Sequence, residues 1–494
     1  MNDAYTNYVG QSFSQPEVQP PRFIFVTPLL SEADRIAEAC PDLHFRLPKV
    51  IRSKANHFKA LVDEGQNIAT THVLFEAITT ETLLSIRKKG YVVIIDEAME
   101  CVRIFEGLTK RDRTMLIERG ILCVDDESKR LRWAATEGED YRGRLADIKS
   151  FCDNGNLFMY RNKTILWTLP PDFFRILGDA YVLTYMFEGQ PMAAYFKSKG
   201  VNYQLLTIHE GEIKNWHLFS NELEYKKQLR SLINVYKGSA NNIGRIASKE
   251  QPLSSAWYKR QTDEELKAIR ATIQNWFKKH AKTEAKLNAW TTYKDYRPKL
   301  SGAGYAKGFI PCNAKATNDH KHKASLAYMC NIHYNPYIAG YFEDKGISLH
   351  GDLFALSEML QWIWRSRIRD GLPINLLLPS ERMRGLLEEW LDCASAAEMI
   401  QRREAARSAP AAKAPTADHL TPHISLAPEA PPEADPDAFQ EPSLAEDDTG
   451  PVYYLPSEPS EHGRWVSPAM LFDEVMQEFA LAASEAVAPD PYDF

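Results

Sequence analysis

Tyr91-Val-Val-Ile-Ile runs without a break into Asp96-Glu97, and this short string constrains the fold more than any other in the 494-residue chain. Five consecutive apolar residues offer no polar face to water. The run therefore predicts a strand buried on both sides, as in a parallel sheet covered by helices. Comparable runs occur at Arg22–Thr27 (RFIFVT), 67–75 (NIATTHVLF) and Ala180–Met186 (AYVLTYM). Helical, amphipathic spacing follows or separates them at 31–39, 81–89 and 192–198. Strand and helix in alternation predict an α/β layer fold, with residues 22–215 forming one lobe behind a flexible segment 1–21.

A second α/β pattern is expected over 216–395. It opens with a charged, helix-periodic insertion near 258–287, in which Trp276 and Phe277 beside Lys278, Lys279 and His280 could stack bases or simply form an amphipathic helix. Gly308–Cys312 reads as a strand, 324–332 as a helix, Leu353–Arg369 as a tryptophan-rich helix, Asn375–Leu378 as a strand and Glu381–Asp392 as a closing helix. From Ser408 onward the composition changes. Two basic residues face seventeen acidic ones there, a net of −15, which leaves +8 on residues 1–407. Fourteen of the 29 prolines also lie in this tail, so 408–462 is expected to be a disordered linker. Ser467 and Pro468 then mark the start of a terminal helix over 467–487. That helix and the acidic, aromatic tip Asp490–Phe494 suit a protein partner, or the tail could fold back on the basic body.

No run approaches the ~18 apolar residues of a membrane span. The N-terminus lacks the basic and apolar regions of a secretory signal. None of the seven cysteines forms a CxxC pair, which argues against a disulfide scaffold or a cysteine zinc site. A reducing, cytoplasmic compartment is the expected location.

Two features carry chemistry. A strand ending in Asp96-Glu97 places adjacent carboxylates at the C-terminal edge of a parallel sheet, where α/β folds bind ligands. Asp96 there can hold Mg²⁺ through water and Glu97 can deprotonate an attacking water, although a strand ending in a polar turn would read the same way. The second feature is Gln361-Trp-Ile-Trp-Arg365-Ser-Arg367-Ile-Arg369. On a continuous helix Arg365 and Arg369 would share a face, well suited to phosphate oxygens, or their stems would simply pack over tryptophan. His320-Lys-His-Lys323, two histidines in a basic turn, reads as a solvated loop rather than a metal site.

Taken with Phe25-Val-Thr27-Pro28, Ala69-Thr-Thr71-His72, Val182-Leu-Thr-Tyr185 and Asn313-Ala-Lys-Ala-Thr317-Asn318, these strings resemble, in order, the motifs of phage-encoded DEAD/DEAH-box-like superfamily 2 helicases. The resemblance spans residues 22 to about 391, with the tryptophan-rich arginine segment its most specific part. It implies two tandem RecA-like parallel-sheet lobes with ATP and Mg²⁺ in the cleft. Asp96 would organise the metal, Glu97 would be the base, Gln361 would sense nucleotide, and Arg365 and Arg369 would reach the phosphates. Thr27, Thr71, His72, Thr317 and Asn318 would touch a nucleic-acid backbone without reading its sequence.

The chain departs from that pattern in one respect. No GK[ST] occurs anywhere in the sequence, so the glycine-rich loop that cradles phosphates is missing and the first lobe is expected to be incomplete. If the missing strand belonged beside 91–95, that strand would be left with an open edge. A shortened reading frame, a second polypeptide or a retired motor would each account for the gap.

Overall fold

A computed structural model describes residues 21–408, except 52, 135–142, 144, 171, 179, 210–211, 216–221, 247–250 and 314–318. The expected linker, terminal helix and N-terminal segment, and Thr317 and Asn318, lie outside the described residues.

Strands β1 (Arg22–Thr27), β2 (Ile68–Thr71), β3 (Tyr91–Asp96) and β9 (Ala180–Leu183) form one parallel sheet in the order β2-β1-β3-β9. Helices α1 (Leu30–Ala39), α2 (Lys54–Glu64), α3 (His72–Glu76) and α4 (Thr80–Lys88) connect the first three strands. Ser53, Thr71 and Thr79 each accept a hydrogen bond from a backbone N–H in the first turn of the helix they precede, which starts α2, α3 and α4. In β3 every residue but Asp96 is buried, as its uninterrupted apolar run demands.

Here the structure corrects the expectation of an open edge at 91–95. β3 is an interior strand, flanked by β1 and β9. Among the described residues the terminal strands of this sheet are β2, met at Ile68 by a bridge from Arg46, and β9, whose four residues are all half-buried.

A second correction concerns the unity of residues 22–215. Between β3 and β9 the chain builds a small antiparallel module. It contains β4 (Val102–Ile104), α5 (Lys110–Glu118), the hairpin of β5 (Leu122–Val124) and β6 (Leu131–Trp133), α6 (Ala146–Asp153), β7 (Leu157–Tyr160) and β8 (Thr164–Thr168). Its sheet runs β4-β8-β7. These strands are three to five residues long, too short for alternation to announce them. Helices α7 (Phe173–Leu177) and α8 (Pro191–Lys199) flank β9, and a β10–β11 hairpin (Leu206–His209, Glu212–Asn215) follows.

The second parallel sheet has the order β12-β15-β14-β13, from β12 (Ile233–Val235), β13 (Asn288–Thr291), β14 (Ser325–Tyr328) and β15 (Ile374–Leu377). Its helices are α9 (Leu223–Leu232), α10 (Asp263–Trp276), α11 (Pro336–Glu343), α12 (Gly351–Ile363), α13 (Glu381–Asp392) and α14 (Ala396–Ser408). Residues expected as a helix at 324–332 are thus strand β14, and 308–312 contributes only a single bridge, Trp290 to Phe309. Trp276 and Phe277 are 2% and 3% exposed and pack with Trp290 and Tyr305, so they are core and not a stacking surface.

The lobes are not separate bodies of core. Tyr341 and Phe342 of α11 belong to the hydrophobic core of the first lobe, packed with Met159, Tyr160 and Tyr195. The segment between β14 and α12 is a strap that leaves the second sheet and packs, through α11, on β4 and α8.

Candidate functional site

Because all four strands of the first sheet are parallel, their C-terminal ends converge on one edge, with Thr27 opposite Thr71 and Asp96 opposite Leu183. Thr27 is fully buried and its Oγ1 lies 3.5 Å from Asp96 Oδ2. His72, also buried, holds the Asp96 carbonyl oxygen at 2.8 Å through Nε2. A carbonyl can only accept, so that nitrogen carries the proton. Thr71 is half-buried and caps α3 by accepting from Leu74 N. Thr27 therefore faces the Asp96 carboxylate and His72 the Asp96 main-chain carbonyl, both from buried positions.

Glu97 follows at φ 64, a left-handed conformation that costs a non-glycine residue ~1 kcal/mol. Its N–H donates to Leu183 O at 2.9 Å, and the residue is 7% exposed. Such strain at a strand end is a recurrent mark of functional sites. Asp96 by contrast is half-buried, open enough to hold a divalent cation through water. Among the described residues no three His, Cys, Asp or Glu side chains converge to chelate a metal directly. Asp96 could therefore hold Mg²⁺ through water, while the GK[ST] string of a phosphate-cradling loop does not occur in the sequence.

Residues 184–190 join this edge to the second lobe. Ser357 of α12 donates to Tyr185 O at 3.4 Å and accepts from Gln190 Nε2 at 3.1 Å and Gln361 Nε2 at 3.4 Å. Tyr185 donates to Glu222 and accepts from Trp390 Nε1 at 2.8 Å, and burial pushes its phenol well above the usual range. Tyr334 donates to Gly189 O while stacking on Phe354 at 4.4 Å. A Cβ on Gly189 would sit 2.8 Å from the Leu353 Cβ, so only glycine permits this approach. Gln361 is therefore linked through one hydroxyl to the loop that begins at the carboxylate edge.

The arginine segment departs from the expected helix. α12 ends at Ile363, Ser366 is extended at ψ −176, and Arg367–Asp370 form a separate 3-10 turn. Ser366 breaks the helix by donating to Ile363 O at 2.7 Å and accepting from Ile368 N. Arg365 and Arg369 consequently do not share one helical face. They remain neighbours electrostatically: burial lowers Arg369 to about 10, with the Arg365 charge adding to that fall and Asp370 offsetting it. Arg365 is 5% exposed, and it also opposes the charge of His320, which burial and Lys323 already lower. Arg367 is engaged on Pro373 O at 2.6 Å. Sequence reasoning missed the module at 102–168, and missed Ser357 and Gln190, which have no motif of their own.

Fold and site together define a two-lobed α/β protein of parallel sheets with a Rossmann-like C-terminal half. Residues 227–391 match the YonV C-terminal Rossmann-like domain, and residues 104–167, the inserted module, match the YonV middle domain. The chain is 34% identical over 409 residues to the SPbeta prophage-derived uncharacterized protein YonV of Bacillus subtilis (strain 168), an alignment covering 79% of this chain and 97% of that protein. The chain belongs to the YonV family, and its relative is prophage-encoded.

Proposed function

We propose that this protein is a helicase-type, nucleic-acid-dependent ATPase component acting in phage DNA replication or recombination. One observation carries the reading: the Asp96–Glu97 pair at the C-terminal edge of a parallel sheet, with Glu97 held left-handed and tied to Leu183, at the start of the loop that reaches Gln361. In this reading Asp96 positions Mg²⁺, Glu97 accepts the proton of the attacking water, and Gln361, Arg365 and Arg369 complete the nucleotide side from the second lobe. A nucleic-acid strand is gripped through its backbone, so binding falls steeply with salt.

A second reading is favoured by the absence of GK[ST] from the sequence: a non-catalytic nucleic-acid-binding or adaptor protein that keeps the helicase shape. ATP hydrolysis by the purified chain, with and without single-stranded DNA, separates the two. DNA-stimulated turnover that falls at least ~100-fold in Glu97→Gln supports the enzyme, since a general base contributes 10²–10⁴. Absence of turnover with salt-sensitive DNA binding retained supports the second reading. Turnover unchanged in Glu97→Gln would remove the carboxylate edge from the chemistry.

A further inference from the structure

Three cations from three parts of the chain lie close enough to act on one another's charge. Arg130 comes from the inserted module, Lys199 from the last turn of α8, and Lys345 from the strap just after α11. The backbone of Arg130 bridges to Phe158, whose ring lies 5.6 Å beneath Lys345 Nζ and edge-on to Tyr341 at 5.5 Å. Lys345 Nζ is also 4.6 Å from the Tyr341 ring centre, and Lys199 Nζ is 5.7 Å from that of Tyr195. The depths are graded. Nη1 of Arg130 is enclosed beside Gly155, Lys199 is half-buried and Lys345 is exposed at the rim.

Among the described residues no carboxylate forms an ion pair with any of the three. Asp172 and Asp344 offset part of the charge on Lys199 and Lys345, but each is itself held, Asp172 by Arg175 at 3.2 Å and Asp344 by Arg161 and by Tyr160 at 3.0 Å. Arg130 Nη1 has no hydrogen-bond acceptor among the described residues. The aromatic rings offset part of the cost of grouping like charges, but not all of it. Burial, then the Arg130 and Lys345 charges, hold Lys199 down to about 8, and Lys345 is likewise lowered, first by burial and then by Arg130. A fold gains nothing from leaving cations in excess of counter-charge over an apolar floor. A further anion would complete the arrangement.

We propose that Arg130, Lys199 and Lys345 form a phosphate-binding site between the middle module, the first lobe and the strap. A guanidinium fork with two ammonium groups, arriving from three directions, matches the several oxygens of a phosphate group better than the two of a carboxylate. The phosphate comes either from the backbone of a nucleic-acid strand or from a free nucleotide. The site stands on these side chains alone and is independent of the chemistry assigned to Glu97.

The test uses the full chain and the variants Arg130→Gln, Lys199→Gln and Lys345→Gln, singly and together. Binding is measured to a 20-nucleotide oligothymidylate without terminal phosphate, to ATP and to inorganic phosphate. Oligothymidylate binding weakened at least tenfold in the triple variant, with a shallower salt dependence, assigns the site to a strand. Equal weakening confined to ATP and inorganic phosphate assigns it to a free phosphate. In either case the thermal midpoint should stay level or rise, because like charges have been removed, so lost binding is not lost folding. Unchanged affinity for all three probes overturns the proposal, as does a triple variant that loses both binding and thermal stability.

Discussion

Two groups of cations sit where elements of this molecule meet, and they are built on opposite terms. At the junction of α12, α13 and α14, Arg382 donates to Asp352, to Asn331 Oδ1 at 2.8 Å and to the carbonyls of Ile332 at 2.7 Å and Gly351 at 3.2 Å. Arg403 pairs with both Asp352 and Glu389. Every charge there has a counter-charge, and every fork a set of acceptors. At the junction of the middle module, α8 and the strap, Arg130, Lys199 and Lys345 form no ion pair among the described residues, and Asp172 and Asp344 offset only part of the charge. The saturated network fastens helices to one another. The unsaturated one weakens the fold locally, and a feature that costs stability without fastening anything is where binding should be sought.

Substitutions at two positions test that contrast, and a pair at a third tests the strained strand end. The largest effect belongs to the saturated network. Arg382→Ala strands Asp352, Asn331 and two carbonyls at once, and should cost about 2–4 kcal/mol, read as a fall in the urea midpoint with an unchanged slope. A loss below ~1 kcal/mol would show the network to be decorative.

Lys199→Met should act in the other direction. The folded lysine titrates near 8, well below its ordinary 10.5. Below pH 8 it is charged in both states, and its burial is a cost to the native one. As pH rises from 8 towards 10.5 the folded chain sheds the proton first, so the cost fades and is gone above 10.5. The substitution should therefore stabilise by about 1–2 kcal/mol at pH 7, after allowance for partial exposure, with the gain vanishing near pH 10.5. Destabilisation at pH 7 would mean the ammonium is structurally satisfied.

The smallest effect is at the carboxylate edge. Glu97 sits at φ 64, so Glu97→Gly should be more stable than Glu97→Ala by ~1 kcal/mol. Equal stabilities would remove backbone strain from the account of that edge.

Much of the fold was legible in the residues. RFIFVT and YVVII marked β1 and β3 because a strand buried on both faces needs an unbroken apolar run, and 381–392 read as a helix because its spacing and Ser380 cap are local. The carboxylate pair was legible for the same reason, since its place depends only on where β3 stops. The rest depended on contacts between distant residues. SLAY at 325–328 is apolar on every side and fits either helix or strand until β13 and β15 pair with it. Ser366 ends α12 with its own hydroxyl, against the helical periodicity that continues through Arg369.

By itself, then, the sequence determined which segments are strands buried on both faces, where the adjacent carboxylates fall, and that no phosphate-cradling glycine loop is present. Those are matters of local composition and periodicity. Tertiary structure decided that β9 and not β3 borders the sheet, that Thr27 and His72 turn inward to Asp96, and that Arg130, Lys199 and Lys345 meet. Strand order and the meeting of side chains far apart in sequence are set by which surfaces bury one another, and no single stretch of chain carries that information.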